Sequence, residues 1–526
     1  MTIPEKTEGE SVLDYAVRLS EWHSGIHTTE IRKAKGQFFT PKKVAAYMAD
    51  LFDLEKRNLR VLDPGAGTGV LSAALCTRVL NETDGMILEI DAFENDVDVI
   101  PVLRKVLETC KAELKKKGHE FGFTIYESDF VSHNLKYLNG HDLFYDGNLS
   151  AEYDFIISNP PYYKLKKNLL TASLERILSD HPNIYTVFMA LSLCRLKKDG
   201  ELVFITPRSF CSGAYYRKFR KWFVDNACLR NIHLFESRKE IFDSDEVLQE
   251  NVIIKAKKSK PFKETKISVS ISLDKEFQDF ARFETDYDDI VHRKNGDMFI
   301  RIPNSFRDVE MLHVVDLWPN TLHDLGLEIS TGPVVPFRAE KSLSSELQKE
   351  PKMVPLLWMH NLKGMRVVWP LKKNSKASAI LLSRETNPLL IKVRNLVLIK
   401  RFSSKEQKRR LYAAVLDKDE FQFDFVGLEN HLNYVHQLSG DMPHDLAFGL
   451  AALFNSEIID NYFRCLNGNT QVNASDMRSL PLPSKEKIIT IGKLVHTAHL
   501  QENHIDLDNT VNDVLAIKRS ILVASS

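Results

Sequence analysis

Seven short apolar runs, separated by stretches with helical periodicity, restrict the fold of this chain more than any other feature. The runs are Arg60–Leu62, Met86–Phe93, Phe123–Tyr126, Phe155–Ser158, Leu202–Thr206, Ile232–Phe235 and Val252–Lys255. Helical patterns lie between several of them, at Val70–Leu80, Val97–Leu114 and Ile184–Leu196. Strands that alternate with helices close as parallel crossovers, and the helices cover both faces of the sheet. The expected class is therefore α/β, with a doubly wound, mainly parallel seven-stranded sheet. Ligands of such sheets sit beyond the carboxyl ends of the strands, near the point where strand order reverses. Residues at strand ends are the first candidates for chemistry.

After the lysine-rich stretch Lys255–Lys266 the alternation gives way to turn formers and short apolar runs, ending in a helical pattern from about Lys485 to Ile521. A boundary is placed loosely near residue 275, giving domains 1–275 and 276–526, the second a mixed α+β domain. No unbroken apolar run reaches membrane-spanning length, and Met1–Glu10 lacks the apolar core of a signal peptide, so a cytoplasmic protein with no membrane association is expected. The six cysteines form no CxxC pair, which argues against a zinc site and a disulfide framework. Basic and acidic residues balance at 71 each, so only local clusters can suggest a nucleic-acid partner. Ile391–Arg410 holds Lys392, Arg394, Lys400, Arg401, Lys405, Lys408, Arg409 and Arg410 against the single acid Glu406. A second cluster, Arg217–Lys221, follows Tyr215 and Tyr216. Each is either a solvated face or a set of phosphate contacts.

Four motifs fall at strand ends. Asp63-Pro64-Gly65-Ala66-Gly67-Thr68-Gly69 joins a strand to a helix with GxGxG spacing, not the GxGxxG of dinucleotide binders. Such a turn suits a ligand without a pyrophosphate that rests on backbone amides, or is simply structural. Glu94 ends the second strand, where an acid can accept from both hydroxyls of a ribose; Asp91, Asp96 and Asp98 compete for that role. Ser128-Asp129-Phe130 ends the third strand, where a carboxylate can accept from an adenine amine and an aromatic can pack on its ring, although Asp there also caps helices. The sharpest motif is Ser158-Asn159-Pro160-Pro161-Tyr162. Its prolines stiffen the turn, so that the Asn159 side chain and the Pro160 carbonyl can aim two oxygens at one amine while Tyr162 offers a stacking face. By average composition, Asn-Pro-Pro-aromatic arises by chance on the order of once in a hundred chains of this length.

Together these motifs resemble the class I S-adenosylmethionine-dependent methyltransferases, and specifically the adenine-N6 DNA methyltransferases of type II restriction–modification systems in the gamma arrangement. Lys35-Gly36-Gln37-Phe38-Phe39-Thr40-Pro41 is similar to the segment that closes over the cofactor in that group. Phe235–Arg238 through Val247–Asn251 resembles its final hairpin. Phe454–Ser456, Gly468–Asn473 and Leu480–Pro483 resemble the end of a target-recognition domain. The resemblance implies that Thr40, Pro41, Asp63, Gly65, Ala66 and Gly67 hold the methionine moiety of S-adenosylmethionine, Glu94 its ribose, and Asp129 and Phe130 its adenine. Asn159, Pro160 and Tyr162 would bind a target adenine flipped out of double-stranded DNA, and Tyr216, or else Tyr215, would stack on its other face. Lys400, Arg401, Arg409 and Arg410 would contact DNA from the second domain, a separately encoded restriction endonuclease would be the partner, and no metal is required.

Other functions remain beside this one. A protein-glutamine or RNA methyltransferase uses the same turn, but the large second domain and the Gly-Gln-Phe-Phe-Thr-Pro segment disfavour it. A fused endonuclease–methyltransferase is disfavoured, because the sequence shows no extra domain with a spaced acid, acid and lysine cluster. A non-catalytic DNA-specificity subunit is disfavoured by the intact glycine turn and Asn159. Cytosine-N4 methylation uses a related turn that more often begins with serine.

Overall fold

The apolar runs form adjacent strands of one sheet. In the computed structural model, residues 2–26, 40–83, 85–138, 153–165, 172–179, 182–237, 250–294, 297–348, 352–371, 376–403, 407–468 and 470–518 are described. Strands β1 (Asn58–Asp63), β2 (Ile87–Phe93), β3 (Glu120–Tyr126), β4 (Tyr153–Ser158), β5 (Leu196–Pro207), β6 (Cys228–Phe235) and β7 (Asn251–Lys257) lie in the order β3-β2-β1-β4-β5-β7-β6. The first five are mutually parallel, and β7 runs antiparallel to both β5 and β6. From β1 the chain moves outward to β2 and β3, then returns to β4 on the opposite side of β1. Such a reversal is where sheets of this kind take their ligands, here beyond the carboxyl ends of β1 and β4.

Successive residues of a strand point to opposite faces, and here both faces are covered. Val61, Ile90, Phe155, Ile157, Val203 and Ile253 pack in one core with the helices Val12–Ile26, Lys42–Asp50, Val70–Val79 and Ile100–Lys116. Leu62, Ile156, Leu202, Phe204, Val252 and Ile254 pack in the other with Ile184–Arg195 and Arg217–Asn226. Double coverage explains why the central strands read as continuous apolar runs. All of β4 is buried, whereas the edge strand β3 is half-exposed.

The sheet has nine strands among the described residues, not seven: β8 (Lys266–Ser272) lies parallel to β6, and β9 (Ala281–Asp286) lies antiparallel to β8. In β8 Ile267, Val269 and Ile271 enter the core, while the alternating serines break the apolar run. Those serines have partners: Ser270 and Ser272 bond the two ring nitrogens of buried His233 at 3.0 and 3.1 Å. Burial pushes that imidazole down to about 3, so it stays neutral. The first compact unit consequently runs through the hairpin Val291–Lys294/Asp297–Ile300 to Asn304, past the boundary placed near 275.

The second unit, Ser305–Ser526, is mixed α+β. In one sheet Leu432–Gln437 pairs antiparallel with Leu327–Thr331 and Leu396–Lys400, which in turn pairs with Ala413–Leu416. A second sheet is built around Met353–Leu357 and Phe425–Leu428. Within the C-terminal helical pattern, the described residues form two helices, Lys485–Leu500 and Leu507–Leu515. Glu502 takes φ +54° between them, and Asp506 caps the second by accepting from the Asn509 N–H. Lys485–Leu500 crosses His444–Phe454 at backbone distance: a Cβ on Gly492 would lie 1.6 Å from the Asp445 carbonyl oxygen. Among the described residues no helix is long and apolar enough to cross a membrane.

Candidate active site

Asp63, Glu94, Asp129 and Asn159 each lie at or just beyond the carboxyl end of one of four neighbouring parallel strands, so the topology gathers them at one rim. After Asp63 the chain turns through Gly67 (φ +54°) and Gly69 (φ +87°), left-handed conformations that glycine adopts without strain. A Cβ on Gly69 would come within 2.9 Å of Leu103, whereas one on Gly67 would meet nothing within 4 Å. The Gly67 backbone therefore borders open space. Asp63 has no solvent exposure, and Ser72 donates to its Oδ2 at 2.8 Å. Its Oδ1 and the Thr68 hydroxyl are buried without a hydrogen-bond partner. Burial, with Glu94 nearby, pushes the Asp63 carboxyl up to about 7.

Glu94 is tied to the same turn. Its Oε2 accepts from the Gly67 N–H at 2.9 Å, and its Oε1 accepts from Asn95 and Asp96 N–H groups at 2.9 and 2.8 Å. Burial raises its pKa against the pull of those amides. Asp91 is directed elsewhere, onto Arg60 and the Tyr153 hydroxyl. Asp129 caps the helix Phe130–Leu138 by accepting from the Ser132 N–H at 2.7 Å. Phe130 is 2 % exposed, its ring edge-on to Phe93 and tilted against Phe188. In this structure it is a core residue beneath the rim.

Asn159 is half-buried and held at both ends of its amide. Its Nδ2 donates to the Thr40 hydroxyl at 3.1 Å, and its Oδ1 accepts from the Tyr162 hydroxyl at 3.0 Å. The same phenol lies 3.1 Å from the Ile205 carbonyl of β5. Tyr185, which the sequence reading did not single out, joins the two expected stacking residues. Its ring centroid is 6.3 Å from Tyr162 and 6.0 Å from Tyr216. Ser209 bonds the hydroxyls of Tyr185 and Tyr216. Tyr216 is half-buried in this group, while Tyr215 is more exposed and stands edge-on to it. The turn carrying both is anchored by fully buried Arg220, which donates to the carbonyls of Phe210, Gly213 and Met298. With Arg217 on Asp297 and Lys221 on Asp225, three residues of that basic cluster are internally paired.

Residues 85–242 match the family described as Eco57I restriction-modification methylase. Over 479 residues, spanning 90 % of this chain and 92 % of that protein, the chain is 36 % identical to Type II methyltransferase M.PstI of Providencia stuartii. It is 35 % identical over 494 residues to Type II methyltransferase M.BsuBI of Bacillus subtilis, spanning 91 % of this chain and 94 % of that one. The chain belongs to the type II methyltransferases. Among solved structures, the DNA-bound ATP-dependent Type ISP restriction-modification enzyme LlaBIII covers 95 % of this chain and 42 % of its own, at 14 % identity and TM-score 0.47.

In this type II methyltransferase the basic run of the second unit is not one surface. Arg410 is 1 % exposed, donates to Ser403 and to the Asn467 carbonyl, and lies against the Phe463 ring. The expectation that it contacts DNA is corrected: a guanidinium enclosed by its own fold cannot reach phosphate. Arg409 pairs with Asp508, Arg401 donates to the Asn430 carbonyl, and the Lys400 ammonium lies 3.7 Å from the centre of the Tyr412 ring. Lys35–Phe39, Arg238, Val247–Gln249 and Asn469 of the expected motifs lie outside the described residues. A buried ion pair at the rim gave no sequence signal: Arg208, just past β5, bonds Glu250, just before β7, at 3.0 Å. The two charges stand 42 residues apart, so no local window pairs them.

Proposed function

We propose that this chain transfers a methyl group from S-adenosylmethionine to the exocyclic N6 amine of adenine in double-stranded DNA. It would be the site-specific modification enzyme of a restriction–modification system, acting in the cytoplasm beside a separately encoded endonuclease. The observation that carries the reading is Asn159, an amide with both ends held at the carboxyl end of β4, beside the glycine turn of β1.

The residues of the turn fit the donor. Open space at Gly67 admits a ligand to the backbone, and Asp63 Oδ1 and Thr68 Oγ1 are buried polar atoms still in need of partners. Thr40, Pro41 and the turn with Gly65 and Ala66 would hold the methionine end, Glu94 the ribose, and Asp129 the adenine; the Phe130 ring, enclosed by Phe93 and Phe188, would lie beneath that site. Bound there, S-adenosylmethionine supplies an electrophilic methyl group on a positively charged sulfur. The chain's own task is to aim the amine. The Asn159 Oδ1 and the Pro160 carbonyl would accept its two hydrogens, leaving its lone pair turned toward the donor. Burial raises the Tyr162 pKa, so its hydroxyl remains a donor at neutral pH.

An adenine must leave the helix to reach this site, at a cost of a few kcal/mol. Stacking on aromatics is worth about 1–3 kcal/mol per base, so Tyr162 and Tyr216 would offset most of it. The second unit would read the target sequence, with Lys400 and Arg401 the remaining candidates for DNA contact. Asn159→Ala is the test. It should bind S-adenosylmethionine as wild type does and lose at least about 100-fold in turnover, the scale of removing one oriented polar group. Near-normal methylation by that variant removes the proposed role.

A further inference from the structure

Lysines far apart in sequence come together in the second unit around two aromatic rings. After the strand Met353–Leu357, Trp358 opens a short turn that Asn361 locks. The Asn361 Oδ1 accepts from the Trp358 N–H at 2.9 Å, and its Nδ2 donates to the Val368 carbonyl at 2.8 Å. The indole N–H donates to the Ala377 carbonyl at 2.7 Å, and the neighbouring Lys376 sets its ammonium 4.4 Å from the centre of the indole ring. His360 lies nearly parallel to that indole, and exposed Lys363 ends the turn. Next in the chain, the Gly364 N–H donates to the Tyr412 hydroxyl, and the Lys400 ammonium sits 3.7 Å from the centre of the Tyr412 ring.

Cations so gathered repel one another. Burial lowers the His360 pKa, and the charges of Lys376, Lys363 and Lys400 lower it further. Burial and then Lys363 lower that of Lys400. Among the described residues neither Lys363 nor Lys400 pairs with an acid. The negative faces of the rings soften the repulsion without neutralising it. A nucleic-acid backbone would neutralise it, being a dense row of negative charges that lysine meets as a point charge. We propose that this patch, centred on Lys363 and Lys400 and flanked by His360 and Lys376, holds the phosphate backbone of duplex DNA. The inference rests on the reading of double-stranded DNA as the substrate. Of the basic run Ile391–Arg410 it keeps Lys400, and the residues it adds lie in other segments of the chain.

The test is the salt dependence of binding to a mixed-sequence duplex, followed by fluorescence anisotropy on the whole chain. Phosphate contacts carry no sequence information, so the target sequence is not needed. Lys363→Gln and Lys376→Gln, both at exposed positions, should each lower affinity about 3- to 10-fold. Each should also flatten the slope of log affinity against log salt by about one, and Lys363→Gln combined with Lys400→Gln by about two. Lys363→Gln should melt no lower than wild type, because it relieves repulsion. Lys493→Gln, exposed on the helix Lys485–Leu500, should bind as wild type does. Three results overturn the patch: wild-type slope and affinity in Lys363→Gln and Lys376→Gln, an equal loss in Lys493→Gln, or a lower melting temperature in Lys363→Gln. A wild-type chain that neither binds nor methylates duplex DNA overturns the reading of the substrate itself, a distinct outcome.

Discussion

At Asp63 a carboxyl without solvent exposure has one oxygen on Ser72 and the other unpartnered, and burial holds its pKa at about 7. A cationic donor bound beside it would favour the ionised form and lower that pKa, so binding would release a proton. Affinity for S-adenosylmethionine should therefore rise with pH up to about 7 and level off above, by linkage. Calorimetric titration across that range checks it. Asp63→Asn should bind more weakly at pH 8 and show a flat profile, whereas an unaltered slope in the variant would rule Asp63 out as its source. The basic residues divide in the same testable way. Arg410→Ala should cost about 2–4 kcal/mol of stability, from stranded partners and lost packing, and leave the salt dependence of DNA binding unchanged. Lys400→Ala and Arg401→Ala should each flatten that salt dependence by about one unit if they meet phosphate. Asp63, Gly67, Glu94 and Asn159 were legible because the strand–turn–helix alternation puts them at strand ends. Arg410 was not, because its enclosing partners Phe463 and Asn467 lie more than 50 residues away. Asp129 shows both sides: its place was legible, yet its visible bond is to the helix it caps.

Among elements, the crossing of Lys485–Leu500 over His444–Phe454 is the least tolerant of change. A methyl at Gly492 would overlap the Asp445 carbonyl, and one at Gly449 would lie 2.0 Å from the Ile488 carbonyl. The helices would have to separate, giving up buried contacts such as those of Leu446 and Ile491. Gly492→Ala should cost about 3 kcal/mol or more, at the upper end of overpacking, and thermal melts would register it. An unchanged melting temperature would mean that the helices do not approach so closely. Strand β8 shows why the sheet was underestimated from sequence. Its serines satisfy His233 on one face while Ile267, Val269 and Ile271 fill the core on the other, and nothing in a local window announces that partner.

For the molecule as a whole, the order of the central strands and the place of the cleft follow from one alternation in the first half. The second unit was far less legible, because its short strands pair across long separations, as Leu327–Thr331 does with Leu432–Gln437. Its kinship with M.PstI and M.BsuBI spans nine-tenths of the chain and so includes this unit. On the proposed reading, the rim of the first unit holds a donor methyl group beside an amide that accepts an adenine amine. That arrangement is tested most directly by incubating the whole chain with isotope-labelled S-adenosylmethionine and unmethylated duplex DNA, then identifying the labelled nucleoside by mass spectrometry. Wild type should place the label in N6-methyladenine, and Asn159→Ala almost none. Label in N4-methylcytosine, or a full yield of N6-methyladenine from the variant, would contradict that arrangement.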